Sequence, residues 1–392
     1  MQERCTLEKE IDALEVRSSS RKINTNNPLN VCSFQHTFQP MKFGTTDWVP
    51  DGPEISPLTP LNPGFLDAAD ELMIGGLQTA LKAVITNNPT FSRLIKNKSG
   101  PPSIKDKIRV ALVDLTGKKL LNPEFAGWGS TVATNGWSTI KVAVLYASFQ
   151  LLNDLRSLRG VNTITDLIRA ANGAKFPGSP DISKFLDLKS SPPNIKFSSL
   201  VEKATIDIID NHKANCATRV LISIMGFPYI ACVILNSGLY HSNRGGIWIK
   251  SSYSCEKNRY GNTKEMGSIM WTRNVIQAPK AQFNHNATAL SLATFFTLLA
   301  QHRLVNPTAS DDIRACLSTA SWLTAAFPAA AKIASKVGRG EPGNWAFHET
   351  GLIENGRLRY AFAIMTIGIK DGVDVLKNLI VELDKIIDAR NP

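Results

Sequence analysis

The chain has 392 residues, of which 43% are apolar and 20% charged, a balance that excludes disorder along its whole length as well as collagen-like and coiled-coil classes. The length allows two or three domains, or one composite domain with a large core. Lys and Arg number 44 against 33 Asp and Glu, for a formal charge of +11.

The charge is uneven. Residues 1–60 hold six Lys and Arg and eight Asp and Glu, a net of −2, which leaves +13 on the remainder. A basic body of this kind attracts anionic substrates, cell-wall polymers or nucleic acid. No basic run interleaved with aromatics and no zinc spacing points to nucleic acid, so that partner ranks last. Six scattered cysteines without a Cys-x-x-Cys pair suit reduced thiols, neither a disulfide framework nor a metal site. No metal and no organic cofactor is expected.

In chain order, residues 1–65 read as a loosely docked extension. A short charged helix over Leu7 to Arg17 precedes polar loops and five prolines between Pro50 and Pro63. Charges alternate through Glu15 with no apolar core of a signal peptide. The expected location is therefore cytoplasmic as written, or periplasmic or secreted if a leader was removed. From Leu66 to Val84 apolar residues recur at helical spacing. Lys107 to Leu115 reads as a strand, Thr116-Gly117 as a tight turn, and Leu120-Leu121 as the start of a return strand.

Residues 138–152 are apolar on nearly every helical face, as a fully buried helix requires. Residues 153–318 read as mostly helical. Within them, Val220 to Leu235 is apolar but short for a bilayer and broken at Gly226-Phe227-Pro228, so no membrane span is expected. Asn286 is a candidate N-cap for a helix from Ala289 to His302. Three strands follow, over Ser335 to Arg339, Trp345 to Glu354 and Arg359 to Ile369, then an amphipathic helix bearing Val373, Leu376, Leu379, Ile380, Leu383 and Ile387.

The chemistry centres on Ser138-Thr139-Ile140-Lys141 at the tip of the buried helix. Three residues apart on a helix, the Ser138 hydroxyl and the Lys141 amine share a face. A serine needs a base to take its proton before it becomes a useful nucleophile. A lysine in a dry site near another cation loses proton affinity and can be that base. The helix N-terminus adds free N–H groups and partial positive charge beside the serine.

These features resemble the serine β-lactamase and penicillin-binding protein superfamily over roughly residues 66–390. The resemblance lies in the order of parts: helix, two strands, Ser-x-x-Lys helix, helical domain, Lys-x-Gly strand, further strands and a final helix. It implies an α/β (α+β) fold, an antiparallel sheet flanked by helices plus an all-helical subdomain. Residues 66–152 and 319–392 would form the sheet part and 153–318 the helical part.

Lys336-Val337-Gly338 is similar to the family's Lys-Thr-Gly strand, and Lys213-Ala214-Asn215 to its Ser-x-Asn loop. A register through Asp210-Asn211 is the alternative for that loop. Lys213 and Val337 replace hydroxyl residues of the family pattern. No glutamate occurs from residue 125 to residue 201, the interval in which class A enzymes place their deacylating Glu.

The resemblance implies acyl transfer through Ser138 to or from an amide or ester. Lys141 would act as base, Lys213 as a proton relay, Asn215 as the holder of the substrate amide, and Lys336 as an attractor of a carboxylate. The oxyanion would sit between the N–H groups of Ser138 and Arg339, with Val337 and Gly338 lining the substrate strand. The implied partner is a small or peptide acyl substrate, with anionic ones favoured. A catalytically impaired penicillin-binding or sensor protein of the same fold is the alternative. His348-Glu349 falls on the following strand, outside the expected centre, and reads as structural.

Overall fold

The computed structural model describes residues 76–158, 282–318, 321–340 and 343–392, most positions from 230 to 253, scattered helical positions between 215 and 222, and two short ladders. Those ladders pair Lys42–Phe43 with Pro50–Asp51 and Leu186–Asp187 with Asn194–Ile195. The expected N-terminal helix and residues 66–75 lie outside the described residues. Two compact units are present. One comprises Met1–Thr59, Ala143–Asn236 and Ile249–Gln277; the other comprises Pro60–Val142, Ser237–Trp248 and Ala278–Pro392.

The second unit is built on a five-stranded antiparallel sheet. Its strands are β1 (Ile108–Asp114), β2 (Glu124–Trp128), β6 (Lys332–Arg339), β7 (Phe347–Asn355) and β8 (Leu358–Thr366), in the order β6-β7-β8-β1-β2. Short strands β3 (Thr134–Asn135), β4 (Trp248–Ile249) and β5 (His285–Ala287) form a separate small sheet. The longer helices among the described residues are α1 (Gly76–Asn87), α2 (Lys141–Leu158), α3 (Ala289–Ala300), α4 (Pro307–Leu317) and α5 (Gly372–Ala389), beside one helical turn at Pro89–Ser92 and a short ladder pairing Tyr240–His241 with Gly245–Gly246.

Alternation along the strands builds two different faces. Ile108, Val110, Leu112, Tyr360, Phe362 and Ile364 join one core with Leu77, Leu81 and Ile85 of α1 and Leu376, Leu379, Ile380 and Leu383 of α5. The opposite face presents Ala111, Val113, Ala361 and Ala363, all buried. Small side chains there let α3 close on β8, β7 and β1. Every residue of α3 is buried, and Thr288 opens it with a capping box to Ser291.

The three closing strands and the last helix lie within a few residues of their predicted places. The return strand does not. Gly117–Leu120 forms a 3₁₀ turn and β2 begins only at Glu124. Pro123 supplies no N–H to a ladder, which delays the pairing. The buried helix likewise starts as a 3₁₀ turn at Trp137–Ile140 before α2 begins. Helices α3 and α4 belong to the sheet unit, although they fall within the 153–318 stretch that reads as helical subdomain.

Strand β2 ends the sheet, so the outward backbone groups of Gly127 have no strand to pair with. The side chain of Gln78 on α1 replaces one. Its Nε2 donates to Gly127 O at 2.9 Å, and its Oε1 accepts from Gly127 N at 2.8 Å. Gln78→Leu leaves both groups buried and unpartnered, at a cost of roughly 2–4 kcal/mol. Urea denaturation of the two proteins measures it.

Candidate active site

The approach to Ser138 is fixed by backbone pairing. Asn135 pairs with Asn286 and Thr134 with Ala287. Asn286 is fully buried; its Oδ1 accepts from Gln282 N at 3.0 Å and its Nδ2 donates to Gly246 O at 2.7 Å. The next residue extends this anchoring, with Gly136 N donating to His285 O at 2.6 Å.

The chain then reverses sharply. Trp137 takes a φ of 48°, left-handed for a bulky residue. Such a conformation costs on the order of 1–3 kcal/mol and persists only where neighbours hold it. Three bonds do so locally. Trp137 N donates to Asn135 Oδ1 at 3.2 Å, Thr139 N to Gly136 O at 3.0 Å, and Thr139 Oγ1 to the same carbonyl at 2.6 Å.

The outcome is a 3₁₀ turn that carries half-exposed Ser138 and runs into α2 at buried Lys141. Side chains three apart eclipse one another on a 3₁₀ helix, so these two share a side more closely than on the α-helix predicted from sequence.

Strand β6 lies directly against this turn. A Cβ placed on Gly338 would stand 2.9 Å from Thr139 Cγ2 and 3.0 Å from both Gly136 O and Thr139 N. Backbone therefore touches backbone, and only glycine fits. Lys336, on the same face as Gly338, is 4% exposed and donates from Nζ to Val337 O at 3.0 Å. Burial pushes its pKa down to about 8, against the pull of the Glu349 carboxylate. Arg339 is exposed, with its guanidinium 5.8 Å from the Phe347 ring centroid.

Val337 alternates to the other face, where its cross-strand partner is Glu349. The side chain that lacks the family hydroxyl is thus turned away from the Ser138 turn. Glu349 is fully buried and accepts from Ser321 Oγ at 2.5 Å and Ser335 Oγ at 2.7 Å. Desolvation raises its pKa to about 7, opposed by those hydroxyls and by Lys336.

Ser138, Lys141 and the Lys336–Arg339 strand lie in one unit, with Gly338 of that strand against the turn that carries Ser138. Asn215 is helical and half-buried in the other unit, and Lys213 lies outside the described residues. Among the described residues no group of three or more His, Cys, Asp or Glu is placed to hold a metal ion, and no helix is long and apolar enough to cross a membrane.

From sequence, His348 reads as a strand residue outside the centre. It pairs with Gly338 across the strands, is fully buried, and has its Nε2 3.0 Å from Asn135 O. Its burial and its partners arise only in the fold, so no local signal in the sequence marks it.

Gly338→Ala is expected to push β6 off the turn and destabilise the fold by about 1–3 kcal/mol. At a roomy position the same change is neutral or stabilising. Urea unfolding of the variant against the parent decides between the two.

Comparison with known proteins identifies the family. A search among curated proteins finds no match. Solved structures similar to the chain include a β-lactamase from Chitinophaga pinensis, at 13% identity and a TM-score of 0.49, covering 81% of this chain and 100% of that one. The TLA-3 extended-spectrum β-lactamase is similar at 15% identity and a TM-score of 0.45, over 72% of this chain and 91% of its own. PBP-A is similar at 15% identity and a TM-score of 0.47, over 81% and 97%. The model of the β-lactamase enzyme family matches residues 101–383, most of the chain, and the protein belongs to that family.

Proposed function

We propose that the protein is a serine hydrolase or acyltransferase that forms an acyl-enzyme at Ser138. The observation that carries this reading is the close contact between Gly338 and the Gly136–Thr139 turn. It brings a buried lysine strand beside a half-exposed serine in a member of a β-lactamase family.

In this reading Lys141 takes the proton of Ser138 Oγ as that oxygen attacks the substrate carbonyl carbon. The carbonyl π pair moves to oxygen, where the N–H groups of Ser138 and Arg339 receive it. Collapse breaks the bond to the leaving amine or alkoxide, which takes the proton held by Lys141, and leaves an ester on Ser138 and a neutral lysine. Water then cleaves that ester and restores the hydroxyl. One oxyanion donor is typically worth about 10²–10³ in rate. Asn215 would orient the substrate amide and Lys213 would relay a proton. Lys336 would draw in a small-molecule or peptide substrate bearing a carboxylate.

A second reading rests on one specific feature, the absence of glutamate from 125 to 201. With no glutamate there to deacylate the ester, and Asp166, Asp181 and Asp187 among the carboxylates the interval does hold, this reading has a long-lived acyl-enzyme on a penicillin-binding or sensor protein of the same fold.

The test is to treat the purified protein with a fluorescent penicillin and with a fluorophosphonate, then map any adduct by mass spectrometry. The expected result is a stoichiometric adduct on Ser138, absent from Ser138→Ala. An unlabelled parent protein with both reagents would overturn the proposal. Steady turnover of the penicillin favours the hydrolase, and a stable adduct favours the sensor.

A pH dependence follows from Lys336. Its pKa is lowered to about 8, so its charge is present below that pH and lost as pH rises through it. Capture of a carboxylate-bearing penicillin is expected to fall up to about tenfold per pH unit between 8 and 10. Lys336→Arg, which stays charged, removes this limb from the pH profile of the labelling rate.

A further inference from the structure

We infer that His348 is a positioning residue, a strut from the second strand of the sheet that holds the Asn135 carbonyl and thereby sets the turn presenting Ser138. The inference rests on the reading of Ser138 as nucleophile for its catalytic consequence, but not for its structural content.

Three observations on the same few residues carry it. The first is reach. His348 stands opposite Gly338 in the β6–β7 ladder, on the same face. Gly338 has no side chain, and its backbone is already in contact with Gly136 and Thr139. The imidazole therefore spans the space beside the glycine and meets the turn from one strand further back, with Nε2 at 3.0 Å from Asn135 O.

The second is the distribution of bonds along the turn. Gly136 N is held by His285 O, Gly136 O by the amide and hydroxyl of Thr139, and Trp137 N by the Asn135 side chain. The carbonyl of Asn135 is the point at which a side chain of the large sheet takes hold of the same run. It sits two residues before Trp137, whose left-handed backbone has to be held in place by its surroundings.

The third is the state of the ring. A carbonyl oxygen only accepts, so Nε2 carries the proton in this bond. His348 is fully buried, and desolvation lowers its pKa to about 4 despite the backbone carbonyls of Phe347 and Asn135. The ring is thus a neutral Nε2–H tautomer at ordinary pH. It supplies one fixed donor and no charge, which suits a strut and not a proton carrier.

The test compares the parent with His348→Leu, which keeps bulk but has no donor, and His348→Gln, whose amide nitrogen lies near the place of Nε2. Hydrogen exchange of peptides covering residues 134–142 is read by mass spectrometry, beside peptides of β8 and α5. The expected result for His348→Leu is at least tenfold faster exchange confined to the turn, with His348→Gln restoring most of the protection. Uniform acceleration over all peptides, no change at the turn, or no rescue by glutamine would each overturn the inference.

If His348→Leu does not fold, nitrogen-15 NMR of the parent decides instead. A neutral Nε2–H tautomer that does not titrate above pH 5 is expected, and an Nδ1–H tautomer or titration near pH 6.5 overturns the inference. A labelling arm with the fluorescent penicillin is expected to show at least a tenfold lower acylation rate for His348→Leu. If the parent itself is not labelled, the acyl-enzyme reading falls, while the exchange and NMR results still decide the role of His348.

Discussion

The contact between Gly338 and the Gly136–Thr139 turn is the constraint on which the arrangement depends. At 3.0 Å from a prospective Cβ to backbone atoms, the edge of the large sheet and the start of α2 are fixed against each other with no side chain between them. Everything near Ser138 is measured from that seam. Lys336 reaches the same face two residues earlier, Arg339 emerges to solvent one residue later, and the cross-strand partner of Gly338 is the histidine that grips the turn. The sheet determines where the seam lies, since β6 is an outer strand held on one side only. The small sheet with Asn286 at its centre delivers Asn135 and Gly136 to it from the other direction.

Burial in strands β6 and β7 works on charge in a consistent way. Lys336 and His348 lose proton affinity and Glu349 gains it, and desolvation is the largest cause in all three. Each group is driven toward its uncharged form. The hydroxyls of Ser321 and Ser335, and the Asn135 carbonyl that accepts from His348, recover part of that cost by hydrogen bonding. Lys336 and Glu349 sit on opposite faces of the sheet, so they feel each other through it and not as a direct ion pair.

Much of this was legible in the sequence, for identifiable reasons. The closing strands and α5 announce themselves because alternation and helical spacing are strong there, and Asn355-Gly356 marks the turn between β7 and β8. Ser138 and Lys141 stood out because the pair opens an apolar helix at the place where the order of parts resembles the family's Ser-x-x-Lys; the pair alone reads more readily as a helix cap. Less legible was whatever depends on a distant partner. Nothing local distinguishes an α-helical start from the 3₁₀ turn at Trp137–Ile140, which exists because β3, β5 and β6 converge on it. His348 read as a strand residue because its role arises only when residue 135 is brought beside residue 348. The delayed start of β2 at Glu124 could have been read from Pro123. Lys213 and Asn215 remain expectations from pattern alone.

The order β6-β7-β8-β1-β2 has a consequence for biosynthesis. The centre of the sheet joins β1, made early, to β8, which ends at Thr366, so this one pairing spans more than half the polypeptide while the other three are local. While a nascent chain is still emerging from the ribosome, Ser138 has no strand to lean on, and the apolar face of α1 has no α5 to cover it. Long-range closure of this kind is slow and leaves sticky intermediates exposed. The turn that carries Ser138 therefore gains its supporting strand only after β6, β7 and β8 have been synthesised and have closed on β1.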